Sequence, residues 1–178
     1  TPAAEPIGRG IGPVLEARDV MSVLRCEADA PSDLREKSLQ LSARIIELDP
    51  ECRGGTGYAR ARELLDSGSA LRSMERIMRL QGPPPMTFNL GELTHEVNAK
   101  VSGKVRDMDC YRLARIARLA GAPLDRGAGI DLLRKTGDVV EAGEVVYRIH
   151  AAHAGDLALA TEAAERNVGF AVAPASLP

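Results

Sequence analysis

The sequence has no tryptophan and little other aromatic material: three tyrosines and two phenylalanines in 178 residues. Any core must therefore be built from Leu, Ile, Val, Ala and Met, and a 44 % hydrophobic content supplies them. Long apolar runs are also missing. None approaches the roughly 20 residues of a membrane-spanning helix, and no signal-peptide pattern opens the chain. A membrane partner is not expected. Cysteine is scarce, and Cys26, Cys52 and Cys110 form an odd, widely spaced set. That usage suits a reducing cytoplasm rather than a disulfide framework. Charge of either sign is not in excess. The net value is −2 and the arginines are interleaved with carboxylates, so electrostatically driven nucleic-acid binding is not expected.

What is present is punctuated by proline and glycine. PIGRGIGP at 6–13 is a glycine loop whose last residue, Pro13, suits the first turn of a helix over 14–25. That helix carries Leu15, Val20, Met21 and Leu24 on one side. A second helix is expected from Asp33 to Leu48, with Asp33 and Glu36 at capping-box spacing and a buried stripe of Leu34, Leu41, Ile45 and Leu48. Helices over 58–66 and 69–80 follow, the latter presenting Leu71, Met74, Ile77 and Met78 at helical spacing. Then come Pro83, Pro84 and Pro85, which fit neither helix nor central strand and mark a domain border near residue 82.

Beyond the border the pattern changes to strands mixed with two helices. Strands are expected over 94–101, 104–108, 130–135, 145–150 and 168–173, with Val139-Val140 a short extended piece. Asp109 can cap a helix over 110–120 whose inner face is Leu113, Ile116, Ala117 and Ala120. A last helix runs over 156–166. The segment GDVVEAGE at 137–144 places Gly137 and Gly143 at two corners, where at least one positive φ is expected. Val140, Val145 and Ile149 are expected to point inward from one β layer. Helices first and mixed elements later give an α+β chain.

Three blocks, PIGRGIGPVLEARDV (6–20), VSGKVRDMDCYRLARIARLAGAP (101–123) and AGAPLDRGAGIDLLRKTGDVVEAGEVVYRIHA (120–151), resemble the thymidine/pyrimidine nucleoside phosphorylases, and most of all their archaeal AMP phosphorylase relatives. The resemblance runs in order along nearly the whole chain. It implies an enzyme family that splits the N-glycosidic bond of a nucleoside or nucleoside 5′-monophosphate with inorganic phosphate, giving base and sugar 1-phosphate. Residues 1–82 would then be a helical remnant of the catalytic domain. Residues 83–178 would be the C-terminal domain, an α/β-hammerhead containing a barrel-sandwich hybrid. The opening TPAAEP reads as the middle of a longer protein. The resemblance places the phosphate loop, base contacts and proton donor upstream, so no catalytic residue is carried onto this chain. The segment alone is expected to be inactive, with a domain-closure or assembly role in a cytoplasmic homo-oligomer. No cofactor is expected, and phosphate enters as co-substrate. The alternative is a stand-alone, non-catalytic assembly or ligand-sensing module of the same fold.

Individual residues give weaker signals. Gly8, Gly10 and Gly12 could offer N–H groups to a phosphate and Arg9 could face it, but the spacing matches neither G-x-G-x-x-G nor a P-loop. Arg9 is the one candidate substrate contact; a tight connection is the plainer reading. His150 and His153 form H-x-x-H without the further ligands that zinc requires, and His95 stands alone, so no metal site is expected. Cys110 beside Asp109 starts a helix but has no histidine near it in sequence to act as base. Glu141 and Glu144 read as solubilising. The G-D-x-V-x-x-G-E pattern also occurs in biotinyl and lipoyl carriers, yet residues 149–153, IHAAH, contain no lysine to modify.

Overall fold

A computed structural model describes residues 4–82 and 89–173. The three prolines of the expected border lie outside the described residues. Two compact units emerge: residues 18–82 form one, while residues 4–17 and 89–173 form the other. The sequence-based division at 82 put residues 1–82 together. Instead, residues 4–17 group with the later unit because a short strand there pairs into its sheet.

The helical unit contains the latter part of α1 (Pro13–Leu24), then α2 (Ser32–Ile46), α3 (Gly57–Asp66) and α4 (Ser69–Gln81). Pro13 opens α1, as its fixed φ and missing N–H favour. Val23, Leu39, Ala61 and Leu65 form the core, with Leu24, Leu34, Ile46 and Tyr58 packed around it.

Two expectations fail here. The capping box does not form: α2 begins at Ser32 with Pro31 as its cap residue, so Asp33 lies inside the first turn and its carboxylate accepts from the N–H of Leu34. The expected stripe of α2 is also mostly solvent-facing. Leu41, Ile45 and Leu48 are 53 %, 68 % and 75 % exposed, whereas Leu39 and Ala43 are buried. Two apolar rows with the same spacing run along this helix, and periodicity does not say which one meets α3. On α4 no residue is buried, and Ile77 and Met78 remain about half exposed.

The second unit has two antiparallel sheets. One has the order β1 (Gly10–Ile11), β4 (Gly129–Leu132), β6 (Val145–Ala151), β2 (Leu93–Asn98); the other has β5 (Val139–Val140), β3 (Gly103–Met108), β7 (Phe170–Ala173). Helices α5 (Cys110–Leu119) and α6 (Ala154–Arg166) complete it. The α+β class expected from the sequence is what the chain adopts. Asp109 caps α5 as expected, its Oδ1 accepting from Arg112 N–H at 2.9 Å. Leu113, Ile116, Ala117 and Ala120 form the inner face.

The core joins these to Val105, Ile130, Leu132, Val140, Val146, Tyr147 and Ile149. β6 is buried on both faces near its centre, with Val146 and Tyr147 both at 0 % exposure, as a strand covered on both sides must be. The single inward layer of Val140, Val145 and Ile149 does not exist. Val140 and Ile149 are buried but belong to different sheets, and Val145 is only half-buried. The GDVVEAGE segment is a bridge from one sheet to the other rather than one hairpin.

Candidate functional site

That bridge is cross-braced at both of its corners. At its first corner Gly137 has φ 100° and its N–H donates to Val105 O at 2.9 Å. Asp138 O accepts from Val105 N–H at 2.8 Å, and its carboxylate accepts from Lys135 N–H at 2.8 Å. At the second corner Gly143 has φ 88° and donates to Ala99 O at 2.8 Å. Both glycines thus occupy the left-handed region that residues with a Cβ avoid.

Glu144 is more than a solubilising residue. Its carboxylate accepts from Glu141 N–H at 2.8 Å and from Arg134 Nε at 2.8 Å. The Glu141 N–H, then the Arg134 guanidinium, hold its carboxyl below the usual carboxylate range. Glu141 itself is exposed and lends only its backbone.

The glycine loop at 8–12 turns its carbonyls to use. Gly8 O accepts from Lys135 Nζ at 2.9 Å and Arg9 O from Leu132 N–H at 2.8 Å. Gly12 N–H donates to Glu16 Oε1 at 3.0 Å while Glu16 N–H donates back to Gly12 O at 2.8 Å, a reciprocal cap at the start of α1. The Arg9 side chain is exposed.

The histidines are not brought together by geometry of one kind. His150 is 7 % exposed on β6, with Nδ1 3.3 Å from Gly91 O and Nε2 without a partner. His153 is exposed at the cap of α6, and His95 is half-buried on β2 across from Ile149. Among the described residues, no group of three or more His, Cys, Asp or Glu side chains could hold a metal ion. Cys110 is half-buried in the first turn of α5, its Sγ 3.8 Å from Met108 O. The stretch where a carrier domain would expose its modified lysine is instead buried strand at Ile149 and Ala151.

Sequence reading missed three polar groups. Tyr147 is fully buried, stacked on Phe170 with centroids 5.8 Å apart, and its hydroxyl lacks a partner; burial pushes its pKa up. Asp19 is 4 % exposed on α1, with its carboxylate 3.0 Å from Arg18 Nη2. The signal for Asp19 was available: it stands midway between buried Leu15 and Val23, on the same helical row. Lys135 is the third, its Nζ donating to Pro6 O and, at 2.9 Å, to Gly8 O. The helical unit also has an apolar groove of about 220 Å³ lined by Val23, Leu24, Leu34, Leu39 and Leu65, with Ser38 and Ser42 as polar lining. None of these features assembles a nucleophile, a base and an oxyanion donor together.

Residues 104–171 match the pyrimidine nucleoside phosphorylase C-terminal domain. The chain is 56 % identical over 172 residues to a protein of Rhodopseudomonas palustris named "Putative thymidine phosphorylase", covering 97 % of this chain and 34 % of that one. Proteins of the same name from Bradyrhizobium diazoefficiens (55 % identity, 97 % and 34 % coverage) and Nitrobacter hamburgensis (58 % identity, 85 % and 30 % coverage) are similarly related. The chain thus spans about a third of the length of these relatives. On these sequence matches the chain belongs to the pyrimidine nucleoside phosphorylase family, within which it carries the C-terminal domain.

Proposed function

We propose that this chain acts as the C-terminal part of a phosphorylase that cleaves the N-glycosidic bond of thymidine, another nucleoside or AMP. The observation that carries the reading is the 56 % identity across 97 % of the chain. In the reaction a phosphate oxygen bonds to C1′ as the C1′–N bond breaks, and the departing base takes up a proton. Such chemistry needs donors around phosphate and an acid near the leaving nitrogen. The described residues contain no such set, so in this reading the chemistry belongs to the other two-thirds of the relatives' length. The present chain contributes domain closure or assembly, as a cytoplasmic homo-oligomer. The helical residues 18–82 are then part of the catalytic domain, with the β-rich unit as the C-terminal domain. Arg9 is the side chain here that the reading would turn toward phosphate.

The test compares this chain with a version extended to the relatives' full length. Phosphate-dependent release of base from thymidine, uridine, CMP and AMP is expected from the extended protein and absent from the segment, and Arg9→Ala in the extended protein should raise KM for phosphate more than it lowers kcat. Phosphorolysis by the segment alone would overturn the division of labour. An inactive extended protein would favour the second reading, a non-catalytic assembly or ligand-sensing module.

A further inference from the structure

α2 carries apolar side chains on two sides, and only one of them is used within this chain. Leu39 packs into the core with Ala61 and Leu65 of α3, and Ala43 is buried one turn along. Leu41, Ile45 and Leu48 make a second row at i, i+4 and i+7, and each is more than half exposed. Single exposed aliphatic residues are ordinary on a protein surface, but three in succession on one helical row are not. A helix apolar on two sides has the pattern of an element packed between two layers, and here one layer is present.

The second row stands on a fixed support. Gly57 brings the start of α3 so close to α2 that an added Cβ would run into Ala43 O, and Tyr58 Oη donates to Glu36 Oε2 at 2.7 Å. Beside Leu41 the surface falls into an open depression of about 640 Å³, bordered by Arg44, Glu47, Gly55 and Tyr58. The Arg44 side chain is 85 % exposed, with Nη1 3.9 Å from Glu47 Oε2. The face is thus apolar at its centre, concave to one side and cationic at its rim.

Two observations bear on what covers it. The stretch shared with the Rhodopseudomonas palustris relative takes in the helical unit, yet it makes up only 34 % of that protein. The match to the C-terminal domain is confined to residues 104–171, so residues 18–82 lie outside it. We propose that Leu41, Ile45, Leu48 and the depression beside them are the seat for the part of the parent protein that this chain does not include. That part lays an apolar face on the row, which spans roughly 10 Å of helix at 1.5 Å per residue, and sets a carboxylate against Arg44. The inference rests on the reading above only in making this chain part of a longer protein, and not on what that protein cleaves.

Hydroxyl-radical footprinting read by mass spectrometry tests it on unsubstituted proteins, this chain and the version extended to the relatives' full length. Leu41, Ile45 and Leu48 should be oxidised readily in this chain and lose most of that oxidation in the extended protein. Tyr111 and Leu124, 74 % and 97 % exposed on the β-rich unit, should be oxidised equally in both. In the extended protein Arg44→Glu should restore part of the oxidation of the row, and a row as protected as before would overturn the carboxylate assigned to Arg44. Because the first comparison needs no substitution, it decides even where that variant does not fold. Turnover is not needed either: an extended protein that protects the row but releases no base overturns the phosphorylase reading alone. Equal oxidation of the row in the two proteins would overturn the seat. So would protection already present in this chain that grows with its concentration, because the occupant would then be a second copy.

Discussion

The two units solve the same problem, a core without tryptophan, in different ways. The β-rich unit brings Leu113, Ile116, Ile130, Tyr147 and Ile149 to essentially zero exposure by closing two sheets and two helices around them. The helical unit has the smaller cluster of Val23, Leu39, Ala61 and Leu65 and leaves Leu41, Ile45, Leu48, Ile77, Met78 and Leu80 in solvent. Apolar content is therefore not what separates them. Sheets order residues far apart in sequence around one interior, whereas short helices offer two or more apolar rows and need additional surfaces to cover them all. The consequence is testable: substitutions at turns of the β-rich unit should cost stability, and substitutions at the exposed large apolar residues of the helical unit should not.

A large effect is expected at the two corners of the bridge. At Gly137 and Gly143 an added Cβ meets nothing within 4 Å, so no clash contributes. The cost is conformational: each glycine holds a positive φ, and a residue with a Cβ there costs about 1 kcal/mol or more, a β-branched one more still. Gly137→Val and Gly143→Val should each lower the denaturation free energy of the β-rich unit by at least that amount, read by urea titration. Glu141→Gln, which retains its backbone donor, serves as a neutral control. Valine variants as stable as wild type would remove the contrast between the units.

These corners also show what could be read in the sequence. Glycines flanked by apolar strand residues announce a reversal, and Asp109 before an amphipathic run announces a cap, because both depend on local chemistry alone. Pairing partners are not local. Nothing in VVEAGEVV says that Val140 joins β3 while β6 pairs with β2 and β4, and the inward layer expected from alternation failed for that reason. The role of the glycine loop was hidden similarly: it suggests N–H groups for an anion, yet the fold turns its carbonyls toward a lysine well over a hundred residues away. The apolar row of α2 that faces inward depends on α3, which no spacing within α2 encodes.

A smaller, pH-dependent effect is expected at Glu144. Its folded-state pKa lies below the usual value of 4.5 because Glu141 N–H and Arg134 favour the carboxylate. The unfolded chain therefore takes up this proton first on acidification, so the contribution is complete above the unfolded pKa and is lost as pH falls through the folded one. Glu144→Gln should thus melt below wild type at pH 7, and the gap should narrow on going from pH 5 to pH 3. Melting curves by circular dichroism at pH 7, 5, 4 and 3 measure it. A gap that does not change with pH would mean that the carboxylate charge is not what braces the second corner.

The smallest effect should come from the helical unit's exposed large apolar residues. Leu41, Ile45 and Leu48 are already more than half exposed, so replacing them removes little area from an interior and leaves no cavity. Glutamine matches leucine closely in helix propensity, which frees Leu41→Gln of a backbone term, and Leu48 lies beyond the end of α2. Leu41→Gln, Ile45→Gln and Leu48→Gln should each change stability by less than about 0.5 kcal/mol, as surface substitutions do. Leu39→Ala, at 3 % exposure on the same helix, should cost about 2–5 kcal/mol. Denaturant titration at low micromolar protein concentration keeps association from contributing. Should the three glutamine variants destabilise as strongly as Leu39→Ala, those side chains are covered in solution, and the difference between the two units lies in what packs on them rather than in how they fold.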